Sequence, residues 1–319
     1  MARLSMPGPA LPAATVAMPV LAVLAGLGFF SGMDVAMKAL TLHIGAYAAL
    51  VLRSLAALAI ALPLHLWTMR RAGGTRWPSR AVLRLHVKRA TVIAGMALLF
   101  FYGLARLPMA EAIAISFIAP IVALGLAALL LGETIDRRAI LAALLGLAGV
   151  AVIVSGRLGQ GAMDAQAQSG LAAIIGSAFL YAWNLILQRQ QAQLASPSEI
   201  ALFQNAIILA WLAPFWPIWG AAAIFASAAP VHTLALLALA AGALAVAALL
   251  LLSWAYARAE AQILVPLEYS AFLWAALFGW LVFAEPLGLP LLFGALLIVA
   301  GCWIVARRKP ALAAPVPPG

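Results

Sequence analysis

Charged side chains interrupt the apolar runs near the start of the chain. The segment MDVAMKAL, residues 33–40, places Asp34 and Lys38 four residues apart, so both lie on one face of a helix. Arg53 stands in the next apolar run and competes with Lys38 as a partner for Asp34. A charge inside a membrane costs about 3 kcal/mol or more, so it needs a partner, water or a function. We predict that the three residues form a structural ion pair or a gate near an outer mouth; alternatively, Lys38 extends to the outside water.

A stripe of polar side chains marks a later apolar run. The stripe consists of Ser177, Tyr181, Asn184 and Gln188, at spacings of four, three and four residues. This spacing is that of one helical face, and Trp183 lies beside it. Two interpretations remain open, because such a face either lines a cavity or forms hydrogen bonds that pack the helix against a neighbour.

Glu268 is the candidate for direct substrate contact. It follows Pro266 by two residues, and a proline frees a backbone carbonyl and bends a helix. The carboxylate would either bind a substrate ammonium or carry a proton in a cavity, or hydrogen-bond to a neighbouring helix end. The remaining candidates for a cavity lining are Tyr269, Tyr102, Trp254 and Ser116. Tyr102 and Trp254 could instead anchor helix ends at the membrane interface.

The composition requires lipid as the surrounding medium. Of 319 residues, 66% are hydrophobic and only 9% are charged, and the mean hydropathy is +1.10. Soluble domains are about half apolar and about a quarter charged. The chain is therefore predicted to be an integral membrane protein. Its one cysteine, Cys302, excludes a disulfide within the chain.

Ten apolar runs are long enough to cross a bilayer. They cover residues 18–40, 46–67, 90–106, 110–131, 138–155, 169–189, 199–220, 233–257, 262–283 and 288–306. Because backbone groups in lipid must be paired within a segment, Leu- and Ala-rich runs of this length are predicted to be helices. The fold class is therefore an all-α membrane protein with ten transmembrane helices.

The basic residues predict the orientation. With alternating connections, 15 of the 19 Lys and Arg residues fall on one side, which the positive-inside rule assigns to the cytoplasm. Both termini are then cytoplasmic, in a multi-pass protein of the inner (plasma) membrane. Since the charge of +10 is explained by orientation and anionic lipid headgroups, we expect no nucleic-acid partner.

The chain repeats itself. A shift of 152 residues aligns residues 105–150 with 257–302 without a gap, and Glu133 meets Glu285. We expect both glutamates to cap the helix that follows them. Asp34, Lys38 and Arg53 align with Asn184, Gln188 and Gln204. The predicted division is a tail at 1–17, a first repeat at 18–155, a linker at 156–168, a second repeat at 169–306 and a tail at 307–319. Five helices per repeat make the second repeat inverted, with a central cavity between the two.

Two motifs carry a family resemblance. The segments LLLGE, ending at Glu133, and PLEYSAFLWAALFGWLVFAE, ending at Glu285, resemble the ten-helix EamA-type members of the drug/metabolite transporter superfamily. Among these, the chain resembles YddG-like amino-acid exporters. The resemblance implies a basket of ten helices around a cavity lined mainly by the third, fourth, eighth and ninth helices. It also implies small metabolites as cargo, commonly amino acids moved outward.

The remaining motifs decide between classes of function. The sequence contains no GxxxxGK[ST] loop for nucleotides and no HExxH or GxSxG motif for hydrolysis. We therefore expect a secondary transporter that is not an enzyme and that uses no cofactor or metal. Its expected partners are a small-molecule substrate and the lipid bilayer. Export or import of drugs, nucleosides or cofactors, an intramembrane enzyme, and a channel are the alternatives. The oligomeric state is left open, and a monomer is compatible with the sequence.

Overall fold

The computed structural model describes residues 13–71, 77–119, 122, 137–158, 164–192, 194–256 and 270–306. Within these ranges the chain is almost entirely helical and contains no strand. The all-α prediction is therefore confirmed for the described residues.

The helices follow the predicted apolar runs. They are α1 (Ala13–Arg71), α2 (Arg80–Leu104), α3 (Met109–Ser116), α4 (Arg137–Leu158), α5 (Ala165–Ala192), α6 (Pro197–Leu212), α7 (Ala221–Phe225), α8 (Val231–Tyr256), α9 (Ser270–Phe283) and α10 (Leu289–Ala306). A 3₁₀ turn at Ala213–Phe215 and a π turn at Trp216–Gly220 connect α6 to α7, where Pro214 and Pro217 disfavour a regular α-helix.

The first helix is two arms joined at a kink. Gly45 has φ 74° and ψ 161°, a conformation that only glycine adopts without strain. The predicted spans 18–40 and 46–67 correspond to the arms before and after Gly45. The sharp turn lets both arms run through the core with no loop between them.

The start of α2 was predicted too late. The run 90–106 excluded the basic segment before it, yet α2 begins at Arg80, with the Ser79 hydroxyl accepting a hydrogen bond from the Val82 amide. Charged residues lowered the local hydropathy while the backbone remained helical. As a result, Arg80 to Arg89 form the first turns of α2.

The surface is apolar and the helices are long. Among the described residues, five helical stretches have the length and composition to cross a membrane: Ala17–Arg71, Arg80–Leu104, Ala165–Gln188, Pro197–Phe225 and Val231–Ala255. Large side chains such as Leu236, Leu273 and Leu296 are exposed, as expected for a surface that faces lipid. Inside, α1 packs mainly on α8, α2 on α5, and α4 on α10.

Candidate functional site

A buried ion pair joins the two halves of the chain. The Lys38 ammonium contacts Oε1 of Glu285, and the side chains are only 7% and 12% exposed. Lys38 also donates a hydrogen bond to the Leu107 carbonyl oxygen at 2.8 Å. We call this group, completed by Met109 as described next, the Lys38 clamp. It connects α1 to the end of α9 and to the α2–α3 connection.

Glu285 caps a helix far from it in sequence. Its Oε2 accepts a hydrogen bond from the backbone amide of Met109 at 2.6 Å, at the first turn of α3. Pro108, at the N-cap position of α3, supplies no side-chain bond, so Glu285 takes that role. The prediction that Glu285 caps the helix following it was therefore wrong.

The backbone around Glu285 is shaped to turn its side chain inward. Ala284 has φ 51°, a left-handed conformation that costs a non-glycine residue about 1 kcal/mol. The Glu285 amide donates to the Gly279 carbonyl oxygen at 3.1 Å. A Cβ on Gly279 would lie 2.6 Å from Glu285 Oε2. The carboxylate therefore occupies space that any larger residue at position 279 would fill.

Lys38 neither pairs with Asp34 nor reaches the outside water, the two arrangements that the sequence predicted for its side chain. It is buried, so it does not extend to outside water, and its partner is Glu285 and not Asp34. Sequence reasoning missed this contact because Lys38 and Glu285 are separated by 247 residues. The clue available was that both residues close apolar runs predicted to end on the same side.

Asp34 and Arg53 lie close together without direct contact. Both are buried, at 7% and 6% exposure, and their charges interact electrostatically. One Arg53 nitrogen, Nη1, donates weakly to the Met33 sulfur at 3.6 Å, and Nε has no partner. Within the described residues the two side chains form no ion pair, so a direct structural pair is not observed.

The polar stripe of α5 faces α2. Ser177 donates to the Met96 carbonyl oxygen at 2.9 Å. The buried Arg89 donates from Nε to Asn184 Oδ1 at 3.0 Å and from Nη2 to Gln188 Oε1 at 3.3 Å. These contacts agree with the interpretation in which the polar stripe packs its helix against a neighbouring helix.

The same contacts continue into a second polar group, which we call the Arg89 network: Arg89, Asn184, Gln188, Gln191, His86 and Glu199. Arg89 Nη1 donates to the Gln191 side-chain oxygen, and the Gln191 amide nitrogen donates to His86 Nδ1 at 2.6 Å. His86 Nε2 then donates to Glu199 Oε1 at 3.0 Å. The sequence did not predict this network, because Arg89 is one of the basic residues that were explained by membrane orientation. Gln191 was the available clue, since it continues the polar stripe three residues after Gln188.

The other candidates are dispersed. Trp183 is exposed, with the Lys88 ammonium 5.6 Å from its ring centre. Tyr102 donates to Ser169 at 3.3 Å and stacks beneath the Arg106 guanidinium. Trp254 packs beside Val23 and Leu252.

Two more candidates make contacts within or between helices. Ser116 bonds within α3 to the Ala112 carbonyl oxygen at 2.8 Å. Tyr181 packs against Ala119, Ala178 and Ala182. Glu268, Tyr269, Pro266 and Glu133 lie outside the described residues, so their roles remain predictions.

Comparison with known proteins identifies the family. The model of the EamA-like transporter family matches residues 17–155 and again residues 168–307. Among solved structures, 27 chains are similar. One is a crystal structure with a TM-score of 0.62 and 20% sequence identity. The match covers 91% of this chain and 96% of the chain in that crystal structure. No curated protein matches the sequence significantly. Because the two matches span most of its length, the chain belongs to the EamA-like transporter family, with two EamA domains, and is a multi-pass membrane transporter of small solutes.

Proposed function

We propose that the protein is a secondary transporter that exports small organic metabolites, amino acids in particular, across the inner membrane by alternating access. The observation that carries the proposal is the match of each half of the chain to the same transporter family. The amino-acid cargo rests on the resemblance of the segment from Pro266 to Glu285 to YddG-like exporters.

The proposed architecture is ten transmembrane helices in two inverted repeats, with both termini cytoplasmic. The 152-residue shift and the charge distribution of the connections support it. An odd number of helices per repeat gives the two halves opposite orientations, which provides two related conformations with access from opposite sides.

In this topology the Lys38 clamp lies at the outer face. Lys38, the α2–α3 connection and Glu285 follow or precede the outer ends of the first, third, fourth and ninth predicted spans. The clamp would close the outer mouth, and its opening would admit release to the outside. This develops the gate that the sequence predicted for Lys38, with Glu285 as the partner.

The Arg89 network lies at the opposite face in the same topology. Arg89 and His86 belong to the first repeat, and Gln188, Gln191 and Glu199 belong to the second. Both groups therefore join one repeat to the other, one at each face. Transport would require them to separate in alternation, because access from both sides at once would make a channel.

The candidate cavity lining is retained as part of the proposal. Glu268 would bind an ammonium group or carry a proton, with Tyr269 beside it. Tyr181, Trp183, Tyr102, Trp254 and Ser116 would contribute aromatic and hydroxyl surface as the helices move.

A substrate screen tests the proposed cargo. The purified protein is heated with each of the twenty amino acids, with several nucleosides and with cationic drugs, and the unfolding temperature is measured. A ligand that binds only the folded state stabilises it by RT ln(1 + [L]/Kd), so we expect a rise for a subset of the amino acids. A rise with nucleosides or drugs alone would replace amino acids as the cargo.

A further inference from the structure

Asp34 and Arg53 are both buried and interact electrostatically, and within the described residues they form no ion pair with each other. Among these residues, Arg53 Nη1 donates only to the Met33 sulfur, and the buried Arg53 Nε has no partner. Sulfur is a weak acceptor. The Lys38 clamp, one turn further along α1, differs, because there the two charges contact each other and each also has a backbone partner.

Further unpaired atoms lie on α1 and on α6, which pack against each other. Within the described part of the chain, Ser54 Oγ, Gln204 Oε1 and Asn205 Oδ1 are buried without a partner. Ser54 follows Arg53 on the second arm of α1, and Gln204 and Asn205 are adjacent on α6. In the alignment of the repeats, Arg53 and Ser54 correspond to Gln204 and Asn205.

Two contacts fix the depth of these positions. The second arm of α1 and α6 run antiparallel, with Tyr47 Oη donating to the Leu212 carbonyl oxygen at 2.5 Å. At the other end, His65 Nδ1 and Ser198 Oγ are 3.1 Å apart. Arg53 and Ser54 lie between these contacts on one helix, and Gln204 and Asn205 lie between them on the other. The four residues that carry these unpaired atoms therefore lie near the middle of two helices that pack together, at similar depths.

Such an arrangement is costly unless something occupies it. Each buried donor or acceptor left unpaired costs about 1–3 kcal/mol, and charged groups cost more. A pair that served only to hold α1 together would gain most by closing to direct contact, as Lys38 and Glu285 do. Arg53 and Asp34 interact electrostatically without closing to an ion pair, and this leaves the Arg53 Nε donor available to a polar occupant.

We infer that Asp34 and Arg53 bind the two charged ends of a zwitterion, a free amino acid, with Arg53 holding the carboxylate and Asp34 holding the ammonium group. The inference rests on the proposed function and assigns the substrate class to residues previously interpreted as a structural pair or gate. The Arg53 guanidinium presents paired donors that match a carboxylate, and the oxygens of Asp34, Ser54, Gln204 and Asn205 are acceptors for an ammonium group.

The charge balance of the site favours a zwitterion over either single ion. Asp34 and Arg53 together carry no net charge, so a substrate with both charges leaves the buried region neutral. A carboxylic acid without an ammonium group, or an amine without a carboxylate, would leave one of the two residues unmatched, and polar groups left unmatched are the strongest source of discrimination.

The test compares a transported amino acid with its methyl ester and its N-acetyl derivative as competitors. Proteoliposomes loaded with the unlabelled amino acid take up the labelled one, and the half-inhibitory concentration of each competitor is measured. For the wild type we expect both derivatives to compete at least tenfold more weakly than the amino acid itself. Equal competition by all three would overturn the inference without any variant.

Two variants test which residue binds which end of the amino acid. Arg53→Gln is expected to reduce the discrimination against the methyl ester at least fivefold, and Asp34→Asn to reduce the discrimination against the N-acetyl derivative by a similar factor. Arg84→Gln and Asp164→Asn change the same residue types at exposed positions and are the matched controls. Because discrimination is a ratio, it is independent of the folded yield, and Arg53→Lys and Asp34→Glu provide the comparison if the first variants do not fold.

The possible outcomes distinguish failure of this inference from failure of the proposed amino-acid cargo. Uptake of amino acids with the same discrimination in wild type and variants would mean that the pair holds only water or the fold, and would overturn the inference alone. Absence of amino-acid uptake by the wild type would contradict the proposed cargo and the inference together.

Discussion

At the scale of single residues, two groups of buried charges differ in how they are paired. Lys38 and Glu285 satisfy each other and two backbone groups, whereas Asp34 and Arg53 remain apart in the same core. A buried pair contributes little net stability compared with apolar residues of the same size, but removing one partner leaves the other charge uncompensated. A small net contribution to stability agrees with the gate role proposed for the clamp.

The first prediction concerns the difference between removing one partner of the Lys38–Glu285 pair and removing both. Lys38→Met should destabilise the protein by about 3–5 kcal/mol, because the Glu285 carboxylate stays buried with only the Met109 amide as a partner. The double variant Lys38→Met/Glu285→Met should recover most of that loss. Chemical unfolding in detergent of both single variants and the double variant gives the coupling energy as a double-mutant cycle.

Lys88→Met is the matched control for this cycle. Lys88 is exposed over the Trp183 ring, so its loss should change the free energy of unfolding by no more than about 0.5 kcal/mol. Strictly additive effects of the Lys38 and Glu285 substitutions would show that the ion pair does not exist in the folded protein.

At the scale of elements, the apolar runs were predictable and their partners were not. Crossing lipid requires a helix of a certain length, and that requirement is visible in any window of the sequence. The early start of α2 was missed because basic residues such as Arg80 and Arg84 hide helical backbone from a hydropathy count. The cap that Glu285 provides to α3 depends on tertiary packing, which no local pattern records.

Backbone geometry at the end of α9 gives the second prediction. Gly279→Ala should displace the Glu285 carboxylate and destabilise the protein by about 1–3 kcal/mol, because the added Cβ would lie 2.6 Å from Oε2. Ala284→Gly should stabilise it by about 1 kcal/mol by removing the cost of φ 51°. Both free energies of unfolding are measured in detergent.

Two further substitutions control for the change of residue type. In Gly288→Ala the new Cβ meets its nearest atom at an ordinary 3.7 Å, and Ala240→Gly changes an exposed position of α8. We expect little effect from the former and a loss of about 1 kcal/mol from the latter. A stabilising Gly279→Ala, or an Ala284→Gly as harmful as Ala240→Gly, would refute the geometry assigned to Glu285.

At the scale of the whole molecule, the two repeats have polar residues at the same three aligned positions, but these residues are charged only in the first repeat. Lys38 corresponds to Gln188, and each residue contacts the opposite repeat: Lys38 reaches Glu285, and Gln188 accepts from Arg89. In the proposed topology these contacts lie at opposite faces. An ionic contact outside and an amide contact inside would then set the balance between the two directions of access.

Counterflow tests whether this molecule is a carrier with alternating access. Proteoliposomes loaded with a concentrated unlabelled amino acid are diluted into a trace of the labelled form, with no ion gradient and no nucleotide. We expect labelled substrate to accumulate transiently inside, above its equilibrium level. A monotonic approach to equilibrium without that overshoot, for every amino acid that the protein binds, would contradict it.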